Sequence, residues 1–173
     1  MDNERGIAPA DDAAFLEVQR FLNREAALLD RRDYTAWLDL LAADVNYAVT
    51  ARLSRPDEDG PVDYAIIDED ADTLRLRVLQ IGDPKLTRAE NPPTMTRRFV
   101  SNLEVEAAVA PNDYVAHSNL LVYRQRGTAP DGDFYAGRRR DLLRRDNGSL
   151  RIADRLVRLD HNVLFDGSLS IVL

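Results

Sequence analysis

Apolar residues near the start of the chain recur at helical spacing. Asp11 or Asp12 can cap a helix that runs to about Asp30, because a short carboxylate accepts a hydrogen bond from a free N–H group of the first turn. One stripe of this helix carries Phe15, Val18, Leu22 and Leu29. Glu25 falls on the same stripe, and a carboxylate on an apolar face needs a partner. We expect an arginine of a later strand to supply that partner.

The following residues mix helical and extended patterns. Asp33 can cap a second helix from Tyr34 to about Ala42, whose apolar face holds Tyr34, Trp37, Leu38 and Leu41. Alternation over residues 45–51 predicts a short strand. Residues 54–63 contain two prolines, a glycine and several acids, which is typical of an exposed loop, and residues 68–79 predict a third helix.

From Thr96 onward the apolar period falls to two, which predicts strands. We expect them over residues 96–109, 114–126, 134–145, 150–160 and 169–173. Asn147-Gly148 is a two-residue hairpin signal between two of them. Helices followed by strands indicate an α+β fold, with one domain over residues 11–173 after a disordered tail at residues 1–10. Helices on the concave face of a strongly curved antiparallel sheet would give a cone-shaped fold with a cavity.

The last long strands carry charge on both faces. Alternation places Arg139 and Asp141 on one face and Arg138, Arg140 and Arg144 on the other. Such a sheet must pair its charges internally or press them against another protein. The candidate residues for these ion pairs and subunit contacts are Glu25, Arg97, Arg98, Arg138, Arg139, Arg140, Asp141, Arg144 and Arg155.

Composition narrows the classes of function. The 173 residues have a net charge of −7, and residues 1–96 hold 11 basic and 20 acidic side chains, which argues against a nucleic-acid partner. Without cysteine there is no disulfide, thiol nucleophile or cysteine-ligated metal centre. We also expect no membrane span and no secretory signal, because no apolar run is long enough and the N-terminus is acidic. These features favour a cytoplasmic protein.

The two histidines, His117 and His161, offer little catalytic chemistry by their spacing. A mononuclear iron site would need Asp160 as the third ligand, but adjacent residues on a strand point apart. Hydrogen bonding at the edge of the core is the simpler role for His117, and a turn position for His161. A Rieske cluster is excluded because it needs two cysteines.

Cofactor-free acid–base chemistry stays open. Asp44, Tyr47 and His117 could line the cavity of a cone-shaped fold and catalyse a dehydration or isomerisation. The structural alternatives are helix termination for Asp44 and packing for Tyr47. A module that only binds other proteins is a third hypothesis.

Residues 24–49 resemble the small (beta) subunit of aromatic-ring-hydroxylating dioxygenases. The matching positions are Glu25, Ala26, Leu28, Leu29, Asp30, Tyr34, Trp37, Leu38, Asp44, Val45 and Tyr47. The similarity continues through Pro92-Pro93, Thr96-Arg97, Val100-Ser101-Asn102, Ser118-Asn119, Tyr123-Arg124, residues 134–139, Asp141, Leu143-Arg144 and Leu159-Asp160. The chain departs from the family pattern at Met95, at Arg98 and in the acidic loop 54–63.

This resemblance implies a cone-shaped, cystatin-like or SnoaL-like fold and a division of labour. The partner alpha subunit would hold a Rieske [2Fe-2S] cluster and a mononuclear Fe(II), while this chain would hold no cofactor and serve as a non-catalytic scaffold. Three copies of each would assemble as alpha3beta3 and add both atoms of O2 to an aromatic ring with electrons from NADH. An aromatic acid, a hydrocarbon or an aniline all fit as substrate.

Overall fold

The computed structural model describes residues 9–53, 62–83, 85–86, 92–127, 132–160 and 171–173. The helices in this part of the chain are α1 (Asp12–Asp30), α2 (Tyr34–Leu38) and α3 (Ala71–Gly82). The strands are β1 (Leu41–Leu53), β2 (Val62–Glu69), β3 (Met95–Ala107), β4 (Tyr114–Gln125), β5 (Asp133–Asp146) and β6 (Ser149–Leu159). They form one sheet in the order β2-β1-β6-β5-β4-β3, so the α+β expectation is confirmed. No helix among the described residues is long and apolar enough to cross a membrane.

Each helix begins at an aspartate cap. The side chain of Asp11 accepts a hydrogen bond from the N–H of Ala14 at 2.8 Å, and Asp33 and Asp70 make the equivalent contacts at the starts of α2 and α3. The predicted bounds of α1 are confirmed. The predicted end of α2 at Ala42 is wrong, because the chain is already extended from Leu41. Trp37 is nevertheless fully buried.

The strand directions in the sheet and the residues that form its strands differ from the prediction. Neighbouring strands run antiparallel except β1 and β6, which are parallel and bring the first third of the chain beside the last. β2 is not predicted by the sequence pattern: its first two residues lie in the expected loop and its last two in the expected third helix, so α3 begins at Ala71. The predicted Asn147-Gly148 hairpin is confirmed, with φ of 47° and 81° at its two residues.

The core lies between α1 and one face of the sheet, which we call the inner face; the opposite side is the outer face. α1 contacts β3 and buries Val18, Leu22, Glu25 and Leu29. Residues 171–173 form no strand, contrary to the prediction, but are almost completely buried. Fully burying one such leucine contributes roughly 1.5–3 kcal/mol.

β3 is the edge strand of the sheet beside α1. A bulge shifts its register between Ser101 and Glu104, and Asn102 in the bulge has a φ of 52°. Within the predicted N-terminal tail, residues 1–8 lie outside the described residues, whereas Pro9 and Ala10 lie on this edge. The N–H of Ala10 donates to the carbonyl of Val105 at 2.9 Å. The bulge and this contact both discourage another strand from pairing here.

Candidate functional site

Four charged side chains meet in the interior: Glu25, Arg139, Asp141 and Arg155, which we call the buried cluster. Their side chains are at most 1% exposed. Arg155 Nε donates to Asp141 Oδ1 at 2.6 Å, and its Nη1 donates to Glu25 Oε1. Arg139 Nη1 lies 3.3 Å from Glu25 Oε2, and its Nε lies 3.1 Å from Asp141 Oδ2. Two cations therefore balance two anions.

Strand alternation explains how the cluster assembles. Arg139 and Asp141 are two residues apart on β5, so both side chains point to the inner face. Asp141 lies directly opposite Arg155 on β6. α1 covers this face and supplies Glu25 from the middle of its apolar stripe. The expected arginine partner of Glu25 is thus present twice.

Neutral groups complete the surroundings of the cluster. Trp37 Nε1 donates to Glu25 Oε1 at 3.1 Å. Arg155 Nη1 also donates to the carbonyl of Leu173 at 3.2 Å, and Tyr47 Oη exchanges two hydrogen bonds of 2.9 Å with the backbone of Leu173. Nothing in the sequence pattern pointed to these contacts, because Tyr47 and Leu173 are 126 residues apart. These side chains and residues 171–173 occupy the interior of the fold.

The protonation states of the cluster are set by its own charges. Burial raises the pKa of Glu25, but the charges of Arg155 and Arg139 outweigh it and lower that pKa to about 2. Burial lowers the pKa of Arg155, but Asp141 and Glu25 raise it further, so the net direction is upward. Burial raises the pKa of Tyr47. At neutral pH, Glu25 and Arg155 therefore stay ionised and Tyr47 stays protonated.

The remaining predicted arginines divide between the two faces. Arg98 on the inner face donates to Asp30 of α1 at 2.7 Å and to the carbonyl of Val172, and burial lowers its pKa. On the outer face, Arg140 pairs with Asp154 at 3.2 Å, and Arg144 with Asp44 at 2.7 Å.

Two outer-face arginines have no carboxylate partner in the described part of the chain. Arg97 donates only to the backbone carbonyl of Thr96 at 3.3 Å. Arg138 makes no ion pair with another described residue. These are therefore the two predicted arginines whose charges the described residues leave unbalanced.

The three acid–base candidates are not brought together. Asp44 is exposed, and its hydrogen bond to Arg144 lowers its pKa. Tyr47 is buried against Leu173. His117 lies on the outer face, with Nε2 4.0 Å from Glu106 Oε2, so its predicted place at the edge of the core is wrong. Acid–base catalysis needs groups that converge on one substrate, and these three do not.

The described residues bring together no metal site. No group of three or more His, Asp or Glu side chains in the described ranges could hold a metal ion; His161 lies outside those ranges. A cavity of about 120 Å³ opens between α1 and the bulge of β3, lined in part by Gln19, Asn23, Ser101 and Asn102. It is smaller than the roughly 150 Å³ cavity that takes up one benzene.

Comparison with known proteins places this architecture in a family. The sequence profile described as "Ring hydroxylating beta subunit" matches residues 24–166. The chain is 34% identical to the benzene 1,2-dioxygenase subunit beta of Pseudomonas putida, over 96% of this chain and 92% of that protein. It is 32% identical to the biphenyl 2,3-dioxygenase subunit beta of Rhodococcus jostii, over 94% and 90%.

A solved structure supports the same assignment. Naphthalene 1,2-dioxygenase with bound indole superposes with a TM-score of 0.84 at 25% identity, over 95% of this chain and 88% of that chain. The similarity confirms the cone-shaped α+β fold expected from the sequence. The profile match covers well over half of the chain, and the relatives align over nearly all of it. The chain therefore belongs to the family of ring-hydroxylating beta subunits.

Proposed function

We propose that this chain is the non-catalytic scaffold of a multicomponent aromatic-ring-hydroxylating dioxygenase and holds the iron-containing alpha subunit in its working assembly. The buried cluster carries this proposal. Among the described residues, paired charges, Trp37, Tyr47 and residues 171–173 occupy interior positions, where a catalytic cone-shaped fold would need space for its substrate. A scaffold instead needs a rigid body with a well-defined surface.

The iron centres are proposed to belong to the partner. A Rieske cluster requires two cysteines, and this chain has none. A mononuclear iron of the two-histidine, one-carboxylate kind needs convergent ligands, whereas His117 faces outward. We accordingly assign the [2Fe-2S] cluster and the Fe(II) ion to the alpha subunit, which would use them to add O2 to the ring.

The assembly is proposed to contain three copies of each subunit and to work in the cytoplasm. The benzene and biphenyl dioxygenase relatives are themselves named as beta subunits, which implies an alpha partner. Closed rotational symmetry explains how a small chain repeats one contact without forming a filament. A cytoplasmic location fits the need of the reaction for NADH.

Reconstitution tests the proposed function. The isolated chain is expected to bind no iron and to turn over no arene. Co-expression with the alpha subunit should give a hexamer by light scattering, with NADH-dependent dihydroxylation of a probe such as benzene. Iron in the isolated chain, or turnover by it, would contradict the proposal.

Substitutions at two positions outside the core distinguish a scaffold from an acid–base enzyme. Asp44→Asn and His117→Ala should leave the activity of the complex within about twofold of wild type, because neither side chain lies near a substrate in a scaffold. An acid–base enzyme would lose roughly 100-fold or more in kcat from either change. The folded state of both variants is checked by circular dichroism.

A further inference from the structure

The outer face carries an exposed apolar patch at one end of the sheet. Its members are Met95, Phe99, Leu121 and Phe134, which we call the outer apolar patch. Met95, Phe99 and Phe134 are 66%, 57% and 56% exposed. Isolated exposed apolar residues are ordinary, but a contiguous patch marks an interaction site. The question is therefore whether these four side chains adjoin.

The strand register shows that they do. Phe99 lies directly opposite Leu121, and Arg97 opposite Tyr123, which in turn lies opposite Phe134. Side chains on directly opposite positions are neighbours, with Cβ atoms about 4.5–5.5 Å apart. Met95 is two residues before Arg97 and shares its face. The four residues and Tyr123 thus form one surface.

An aromatic pair at the centre of the patch is held in place. The rings of Tyr123 and Phe134 lie with centroids 5.3 Å apart, and Tyr123 Oη donates to Gln125 Oε1 at 2.7 Å. Gly132 leaves room for the Tyr123 ring, since a Cβ there would come within 2.2 Å of it. Rigid aromatic side chains lose little entropy on binding and are typical anchors of interfaces.

The arginines of this surface indicate what kind of partner it binds. Arg97 lies on the edge strand between Met95 and Phe99, and Arg138 lies on β5 beyond Phe134. Neither arginine has a carboxylate partner among the described residues. Asp133, the neighbour of Phe134 along β5, is bonded to Arg124 at 2.7 and 3.1 Å. A two-fold contact of the patch with its own copy would set arginines against arginines. A partner with an apolar centre and a carboxylate rim fits instead.

We propose that the outer apolar patch is the surface on which the catalytic alpha subunit docks, with alpha-subunit carboxylates meeting Arg97 and Arg138. This inference rests on the proposed function. The partner packs on the face and adds no strand, because Asp30 already accepts the backbone N–H of Arg98 on this part of the edge. The β3 bulge and the Ala10 contact lie further along the same edge. Arginine, aromatic and methionine side chains without lysine are the composition expected for such an interface.

Titration of purified alpha subunit into variants of this chain tests the docking surface. Phe99→Glu and Phe134→Glu should each weaken binding about 30-fold or more, because a carboxylate replaces an anchor in a desolvated centre. Arg138→Glu should weaken binding by about tenfold and make it less sensitive to salt. If a glutamate variant does not fold, Phe99→Ser and Phe134→Ser take its place in the binding measurement.

The matched control is Val109→Glu, which adds the same charge at an exposed apolar position beyond the far end of β3. It should bind like wild type. Unchanged binding by both phenylalanine variants would overturn the docking proposal. So would variants that bind the alpha subunit normally but lose self-association, because a second copy would then cover the patch. If the wild-type chain itself fails to bind the alpha subunit, the proposed function is wrong.

Discussion

The two faces of β5 use the same residue type for opposite purposes. On the inner face, the side chain of Arg139 is 1% exposed and lies against Glu25 and Asp141. One residue away on the outer face, Arg138 and Arg140 are exposed, and Arg140 has only a solvent-accessible partner. A buried charge is costly unless it is paired, whereas an exposed one is screened by water. Burial therefore decides what an arginine in this sheet contributes.

The largest effect is expected from a substitution that disrupts the ion pairs of the inner face. Arg155→Met should lower the free energy of unfolding by roughly 3–5 kcal/mol, because Glu25 and Asp141 would be left with Arg139 as their only cluster cation. Denaturant unfolding followed by circular dichroism measures this loss. The matched control, Arg140→Met on the outer face, should cost about 1 kcal/mol or less. Equal losses in the two variants would contradict the distinction between the faces.

Acid should weaken the same cluster through Glu25. Its pKa is about 2 in the folded protein and near 4.5 as the reference value, so the folded state favours the ionised form. The resulting stabilisation, on the order of 3 kcal/mol, is complete above pH 4.5 and disappears as the pH falls toward 2. Unfolding curves between pH 7 and pH 2 measure it.

Glu25→Gln isolates that contribution because it removes the titrating group and keeps the shape of the side chain. The variant should be less stable than wild type at pH 7, and the difference should shrink between pH 4.5 and 2. A difference that is constant across this range would argue against an ionised Glu25.

A smaller effect is expected where a neutral group supports the cluster. Tyr47→Phe removes a hydroxyl that both donates to and accepts from the backbone of Leu173. The buried N–H and carbonyl of Leu173 would each lose a partner, at a cost of roughly 1–3 kcal/mol. Thermal unfolding measures the change, and kcat of the assembled dioxygenase should stay at the wild-type value if Tyr47 has no catalytic part.

The smallest effect belongs to the outer face. A double-mutant cycle on Arg140 and Asp154 should give a coupling free energy of about 0.2–1 kcal/mol, because both side chains are more than one third exposed. Repeating the cycle in 1 M salt should reduce the coupling toward zero. A coupling free energy that does not fall with salt would mean that the charges of Arg140 and Asp154 are not screened by solvent.

Local patterns were enough to predict several features. An aspartate cap at residue 11 or 12 and the apolar stripe located α1, Asn147-Gly148 located the hairpin, and alternation assigned Arg139 and Asp141 to one face. The need of Glu25 for an arginine also followed from its place on the stripe. These predictions hold because caps, turns and strand faces depend on residues a few positions apart.

The amino-acid sequence alone determined the α+β class, the lack of cysteine ligands and the requirement for a partner to Glu25. Tertiary structure decided that Arg155 and Arg139 are those partners, that β1 runs parallel to β6, and that residues 171–173 lie in the interior. Glu25 and Arg155 are 130 residues apart, and the local sequence around several other arginines fits a contact with Glu25 equally well. Only packing of the whole chain selects among these arginines, because the strength of an ion pair depends on the distance between the charges in space and not on their separation in the sequence.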